Sequence, residues 1–365
     1  MGNFAQSRWV RSSCYSRVRV FNAEWNFYGN AAAQAALQGM IERERVPQTI
    51  LLAGPEGVGK ATLARRFAAQ LLGYDAYRIE QDDLSLEANI ATRVERLKLT
   101  AEKRNDDPLM FGSHPDFLTF TSDGPLDQIS IQQMRLVKER APMKPLRGKW
   151  RVFLIDGMDR ANPQAANSLL KTLEEPPPHL VMIMTARNAY DLLPTIRSRS
   201  VMLNLGKLNE ADMRAFLQAR GLDQPERRLA MAEGAPGVAL SVDFETYDRR
   251  RTAMLTLLRV AAGLEQFGAW MKHSDSIGAR KSEKLEQYLE VLYSLLEDTV
   301  RLMHGAPAGR NADIQQDLET LSGRVSFDWV RKTLTRVDEL VELARRNIQK
   351  SIALDAIAAG GLRSR

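Results

Sequence analysis

Gly54-Pro55-Glu56-Gly57-Val58-Gly59-Lys60 has the spacing of a loop that cradles phosphate. Its glycines let successive backbone N–H groups converge on phosphate oxygens, and Lys60 adds a point charge. The next position departs from that pattern. Where such a loop carries Ser or Thr to hold Mg²⁺, this chain has Ala61. Farther on, Asp156 closes an apolar run, the place from which an acid would help hold the metal's hydration shell. The plainer reading of Asp156 is a turn acid after a buried strand. The neighbour that would polarise an attacking water is Gly157, and the nearest acid is Asp159. Phosphoryl transfer is catalysed almost wholly by positioning and charge neutralisation. A site lacking both the metal hydroxyl and the general base should therefore be slow or inert, unless Thr62 supplies a replacement hydroxyl.

The elements that must position these residues are legible from their periodicity. Thr49–Ala53 is a short β-branched run suited to a buried parallel strand. After the glycine loop, Ala64, Phe67, Ala68 and Leu71 recur at helical spacing, so strand, loop and helix come in the order the motif needs. Further strands are expected at Phe117–Phe120, Val152–Ile155 and Val181–Met184, the last ending at Thr185. Between them, Ser130 with Gln133 reads as a capping box, and Asn162-Pro163 as a helix start. Pro176-Pro177-Pro178 stops that second helix. Residues 75–115 are strongly charged, with Leu86, Ile90, Val94 and Leu97 at the spacing of one helix. Alternating strands and helices up to Leu205 imply a parallel α/β sheet covered on both faces.

Beyond Gly206 the strands disappear. Short helices are expected over Glu210–Ala219, Pro225–Glu233 and from about Gly237, and everything after about Arg249 reads as helix. Val330, Leu334, Val337, Val341, Ala344 and Ile348 form a terminal stripe whose simplest use is core packing.

The 365 residues suggest two or three domains, and their composition is that of an ordinary globular protein. A net charge of +6 allows contact with nucleic acid without arguing for it. Cys14 is the single cysteine, which excludes a disulfide framework and a cysteine-rich zinc module and fits a reducing cytoplasm. No apolar run nears the roughly 20 residues that span a bilayer. Residues 1–24 carry Arg8, Arg11, Arg17 and Arg19 and no acid before Glu24, a composition that mimics an organelle presequence and equally fits a mis-assigned start or, the reading taken here, a disordered basic leader.

The strings VFLIDGMDRANPQAANSLLKTLEEPP (Val152–Pro177) and TIRSRS (Thr195–Ser200) resemble bacterial clamp-loader subunits of the AAA+ class. That family includes the delta-prime and gamma/tau subunits of DNA polymerase III. The likeness runs from Phe27 to about Leu205, and RRNIQKSIALDAIAA near the end is more weakly similar to a collar domain. The resemblance implies a P-loop domain over 25–205, a small helical lid over 206–248 and an all-α collar for oligomerisation over 249–365. It makes Gly54, Gly57, Gly59, Lys60, Asp156 and Thr185 a degenerate nucleotide site, with ATP or ADP bound weakly or not at all. It makes Arg199, in Ser198-Arg199-Ser200, an arginine finger that acts in trans, with Arg197 the competitor.

Motor subunits of the family keep Ser/Thr after the lysine, Glu after the Walker B Asp and an arginine in the lid. Here those places hold Ala61, Gly157 and Val238. The pattern implies the non-hydrolysing delta-prime type, with gamma/tau and delta subunits, the sliding clamp and primer-template DNA as partners through the complex. No zinc is expected. The alternatives are an active gamma/tau-type ATPase and an unrelated P-loop kinase.

Overall fold

The computed structural model describes residues 25–280, 283–344 and 349–360. The basic leader of residues 1–24 and Ile348 lie outside the described residues. The chain forms two compact units. One comprises the residues up to Gly54 with Lys60–Leu205, the other Pro55–Gly59 with the residues from Gly206 on.

The first unit is built on six strands: β1 (Thr49–Ala53), β2 (Phe111–His114), β3 (Phe117–Thr121), β4 (Arg151–Asp156), β5 (Leu180–Ala186) and β6 (Val201–Asn204). Their order across the sheet is β2-β3-β4-β5-β1-β6. Every neighbouring pair is parallel except β2 with β3. All residues of β1, β3 and β5 are buried, as strands covered on both faces must be. The two outer strands were not legible from apolar runs. β2 reads FGSH, and β6 exposes Val201 and Met202.

Among the described residues, seven helices accompany the sheet: α1 (Ala31–Glu42), α2 (Lys60–Leu72), α3 (Glu87–Leu97), α4 (Ala101–Asp106), α5 (Ile131–Arg140), α6 (Pro163–Glu174) and α7 (Pro194–Arg197). The sequence signals at two helix starts match the geometry. The Ser130 hydroxyl accepts the Gln133 N–H at 3.2 Å while the Gln133 side chain accepts the Ser130 N–H at 2.9 Å. Asn162 Oδ1 accepts the Ala165 N–H at 2.8 Å, and Pro163 opens α6. Gln133 does more than the pattern foretold. Its buried Nε2 donates to the carbonyls of Leu109 and Thr121, fastening α5 to the end of β3.

Residues 75–115 differ from the single expected helix. They contain a 3₁₀ turn (Ala76–Asp82), α3, α4 and β2. The apolar stripe of α3 is turned outward: Leu86, Ile90, Val94 and Leu97 are all exposed. A charged side chain faces in instead. Arg96 is 7% exposed, and its guanidinium donates to Asp123 Oδ2 at 2.8 and 3.0 Å and to the Asp107 carbonyl at 2.6 Å. A charge buried this deeply is tolerable because it is paired and hydrogen-bonded. Helical spacing identified the helix but could not say which face was inward.

The second unit begins with three short helices, α8 (Glu210–Arg220), α9 (Pro225–Ala232) and α10 (Pro236–Ser241). Asn209 caps α8 through the Asp212 N–H at 2.8 Å, and Gly221 ends it in the left-handed conformation. Among the described residues, six helices follow: α11 (Phe244–Ala261), α12 (Phe267–Ala279), α13 (Leu285–Met303), α14 (Gln315–Ser322), α15 (Phe327–Ala344) and α16 (Lys350–Gly360). They share one core containing Leu257, Trp270, Leu292, Leu318 and Leu354. Val330 and Val337 are fully buried in it, with Leu334 and Val341 packed alongside, so these four residues of the expected stripe form a core face. One polar cluster joins α12 to α16. Asp355 Oδ1 accepts from Trp270 Nε1 at 2.6 Å and Ser274 Oγ at 2.7 Å.

Candidate nucleotide loop and arginine corner

Three adjacent strands bring the candidate residues of the first unit to one edge. β4, β5 and β1 are parallel neighbours in register, Ile155 opposite Met184 and Thr185 opposite Leu52. Their carboxyl ends are therefore level, the position where open α/β sheets bind ligands. Asp156 and Thr185 meet there. The Thr185 hydroxyl donates to Asp156 Oδ1 at 2.6 Å and accepts the Gly157 N–H at 2.8 Å. At the neighbouring strand end, Lys60 Nζ donates to the Gly54 carbonyl at 2.7 Å.

Gly157 is more than a missing carboxylate. Its backbone lies at φ 83°, ψ 50°, in the left-handed region, and it leads into a 3₁₀ turn over Met158–Arg160. Any L side chain at this point is strained, at about 1–2 kcal/mol. The backbone at position 157 therefore favours glycine. Asp159 does not stand in for it: its carboxylate, 4% exposed, accepts from Arg187 Nε at 2.9 Å. Three features of the strand ends bear on metal-assisted turnover of a nucleotide. Position 61 has no hydroxyl, position 157 has no carboxylate, and Asp156 Oδ1 is engaged by Thr185.

In the second unit, the glycine loop lies against the start of α10. The Gly237 N–H donates to the Gly57 carbonyl at 2.7 Å. A Cβ on Gly57 would stand 2.9 Å from Val238 Cγ2 and 3.0 Å from the Val238 nitrogen, so glycine is required here by close approach. Val238, not an arginine, touches the loop.

Arg199 sits at a separate corner of the first unit, just past α7. Its Nη2 donates to Glu174 Oε1 at 2.9 Å and its Nη1 to the Thr195 carbonyl at 3.0 Å. The flanking serines close the turn: Ser200 Oγ donates to the Ile196 carbonyl at 2.8 Å and Ser198 Oγ to the Thr195 carbonyl at 3.2 Å. A small side chain with one donor is what position 200 needs, which Ser supplies as Cys would. Arg197 has a different partner, its guanidinium lying 4.7 Å from the centre of the Tyr190 ring. Sequence reasoning singled out both arginines and missed Glu174, whose only signal was its place in the LLKTLEEPP string.

Among the described residues no helix is long and apolar enough to cross a membrane. Among the same residues no group of three or more His, Cys, Asp or Glu side chains comes together where a metal ion could be held.

Comparison with known proteins bears on the same part of the chain. The family described as DNA polymerase III, delta subunit, matches residues 29–209. DNA polymerase III subunit delta' of Pseudomonas aeruginosa is 30% identical over 207 residues, which cover 56% of this chain and 58% of the relative. The Escherichia coli delta' subunit is 27% identical over 219 residues, 59% of this chain and 64% of that one. The gamma/tau subunit of Mycobacterium tuberculosis is 28% identical over 194 residues, 52% and 29% respectively. The matches thus span less than two thirds of these relatives. A solved gamma-subunit-related protein of Thermotoga maritima aligns over 90% of this chain and 99% of its own at 16% identity and a TM-score of 0.46. Residues 29–209 are thus similar to the delta-subunit family of DNA polymerase III, and the relatives named above are its delta' and gamma/tau subunits.

Proposed function

We propose that this chain is a non-hydrolysing, delta-prime-type subunit of the DNA polymerase III clamp loader. In this reading it helps place the sliding clamp on primed DNA and lends Arg199 to the nucleotide held by a neighbouring gamma/tau-type subunit. Delta, the clamp and primer-template DNA are its other partners, DNA through backbone phosphates within the assembly. The lid over 206–248 and the collar over 249–365 serve assembly, and the setting is the cytoplasm.

The observation that carries the reading is Gly157 at φ 83°. A one-letter change could be compensated nearby; a left-handed backbone at the place of the general base supports the reading because it disfavours the acid that hydrolysis would need there. Ala61 and Val238 depart in the same direction. An arginine finger needs a guanidinium that can reach outward, and Arg199 is exposed. Arg197 is the weaker candidate because its guanidinium lies over Tyr190.

The competing reading is a gamma/tau-type motor with Thr62 in place of the lost hydroxyl, since gamma/tau subunits are among the relatives. ATP hydrolysis by the isolated chain separates the two. The expected result is no turnover above background, with or without clamp and primed DNA, and no change in Lys60→Ala. Stimulated turnover that Lys60→Ala abolishes would establish the motor reading instead.

A further inference from the structure

We propose that Glu174 is the positioning residue for Arg199, holding the guanidinium in the attitude in which it meets a neighbour's phosphate. This rests on the reading of Arg199 as a finger.

A free arginine at a surface samples many rotamers, and ordering it at the moment of reaction costs entropy. Here the ordering is already made. Glu174 Oε1 takes one Nη2 proton at 2.9 Å, and the Thr195 carbonyl takes one from Nη1 at 3.0 Å. Two of the five N–H donors of a guanidinium are thereby used. The remaining ones are left for incoming oxygens. The ion pair is itself accessible to water, with the Arg199 side chain 34% and that of Glu174 50% exposed, so a bound phosphate can compete for the same donors.

The placement of Glu174 has no purely helical rationale. It is the last residue of α6, and Glu175 follows as the cap. Two carboxylates at the negative end of a helix oppose its dipole, where a Lys or Arg would be favoured. Arg199 is the cation that answers Glu174. The base beneath the carboxylate is firm. Leu169 and Leu173 bury the inner face of α6, and the proline run that ends it accepts from Gln48 Nε2 at the carbonyls of Pro176, 3.2 Å, and Pro177, 2.8 Å. On the other side, Ile196 is fully buried and anchors the short helix from which Arg199 extends. Two rigid supports thus meet through one carboxylate and one guanidinium. Misplacing a reacting group by about 1 Å can cost as much as 10²-fold in rate.

The test is a double-variant cycle on the saturating ATPase rate of the loader reconstituted with its own motor and remaining subunits. Glu174→Ala should give a rate between the parent and Arg199→Ala, with assembly and the KM for ATP unchanged. Glu174→Gln keeps the acceptor oxygen without the charge and should recover part of the loss. The double variant should fall no lower than Arg199→Ala alone. A parent-like rate for Glu174→Ala, beside a reduced rate for Arg199→Ala, would overturn the proposal. So would a double variant well below Arg199→Ala, which would make Glu174 a structural support independent of the arginine. If Arg199→Ala itself leaves the rate unchanged, the finger reading fails first, and this proposal with it.

Discussion

The strand ends that carry Asp156 and Thr185 and the corner that carries Arg199 lie in the same α/β unit, yet their polar groups are used in opposite ways. At the strand ends they are turned on each other. Thr185 bonds Asp156, Gly157 bonds Thr185, and Lys60 bonds Gly54. At the corner, a charged group is mounted on two supports and left in contact with solvent. A fold can keep the frame of a nucleotide site while its chemistry is dismantled, because the frame is made by apolar strands and the chemistry by a handful of side chains. In the proposed reading, what the chain contributes is the group offered outward, Arg199.

The largest effect should come from the corner. Arginine fingers are worth roughly 10³–10⁵ in rate at the site they serve. In the reconstituted loader, Arg199→Ala should remove the turnover of one neighbour's site without loss of assembly. Arg199→Lys should restore little, since it keeps the charge and loses the planar fork. A fully active lysine variant would break the comparison by reducing the corner to a point charge.

The strand ends should behave differently. Gly157→Glu is the obvious repair, and it should fail. The left-handed backbone opposes it by about 1–2 kcal/mol, visible as a lower denaturation midpoint, and ATP turnover should not appear even when combined with Ala61→Thr. Turnover in that double variant would show that the site needs only two letters to revive.

A smaller effect belongs to the helix that joins the two places. Asn162→Ala removes the cap of α6, the helix ending at Glu174, and should cost about 1 kcal/mol of stability. The ATPase rate of the folded complex should not change. A rate loss exceeding that of Glu174→Ala would mean that helix position, not the ion pair, governs Arg199.

The smallest effect is a pH dependence that touches neither place. His114 is fully buried; its Nδ1 accepts the Asp116 N–H at 3.1 Å and its Nε2 lies 3.1 Å from the Tyr74 carbonyl, which fixes a neutral ring. Burial pushes its pKa below the ordinary value. As pH falls below about 6.5, the unfolded chain takes up a proton that the folded chain refuses, so stability declines. The buried carboxyl of Asp82 is pushed up by burial and works in the other direction at more acid pH. Melting curves at pH 7.5 and 5.5 should differ in the parent and less so in His114→Asn. An equal shift in both would place the titration elsewhere.

Much of this was legible in the sequence, for physical reasons. Buried parallel strands must be apolar throughout, so β1, β4 and β5 stood out. Edge strands need not be, so β2 and β6 did not. Capping residues act within a few positions, so Ser130 and Asn162 could be read locally. The partner of Arg96 and the outward turn of the α3 stripe depend on Asp107 and Asp123 farther along the chain, and local spacing carries no such information. The site divides in the same way. Lys60, Asp156 and Arg199 belong to strings that announce themselves, whereas Glu174 gains its meaning only from lying 2.9 Å from Arg199 across 25 residues of chain.

The central claim is tested most directly by one paired measurement: the ATPase rate of the reconstituted loader carrying either Lys60→Ala or Arg199→Ala in this chain alone. The account predicts a parent-like rate for the lysine variant and a reduced one for the arginine variant. A reduced rate for Lys60→Ala with a parent-like rate for Arg199→Ala would make this chain a working motor and contradict the account.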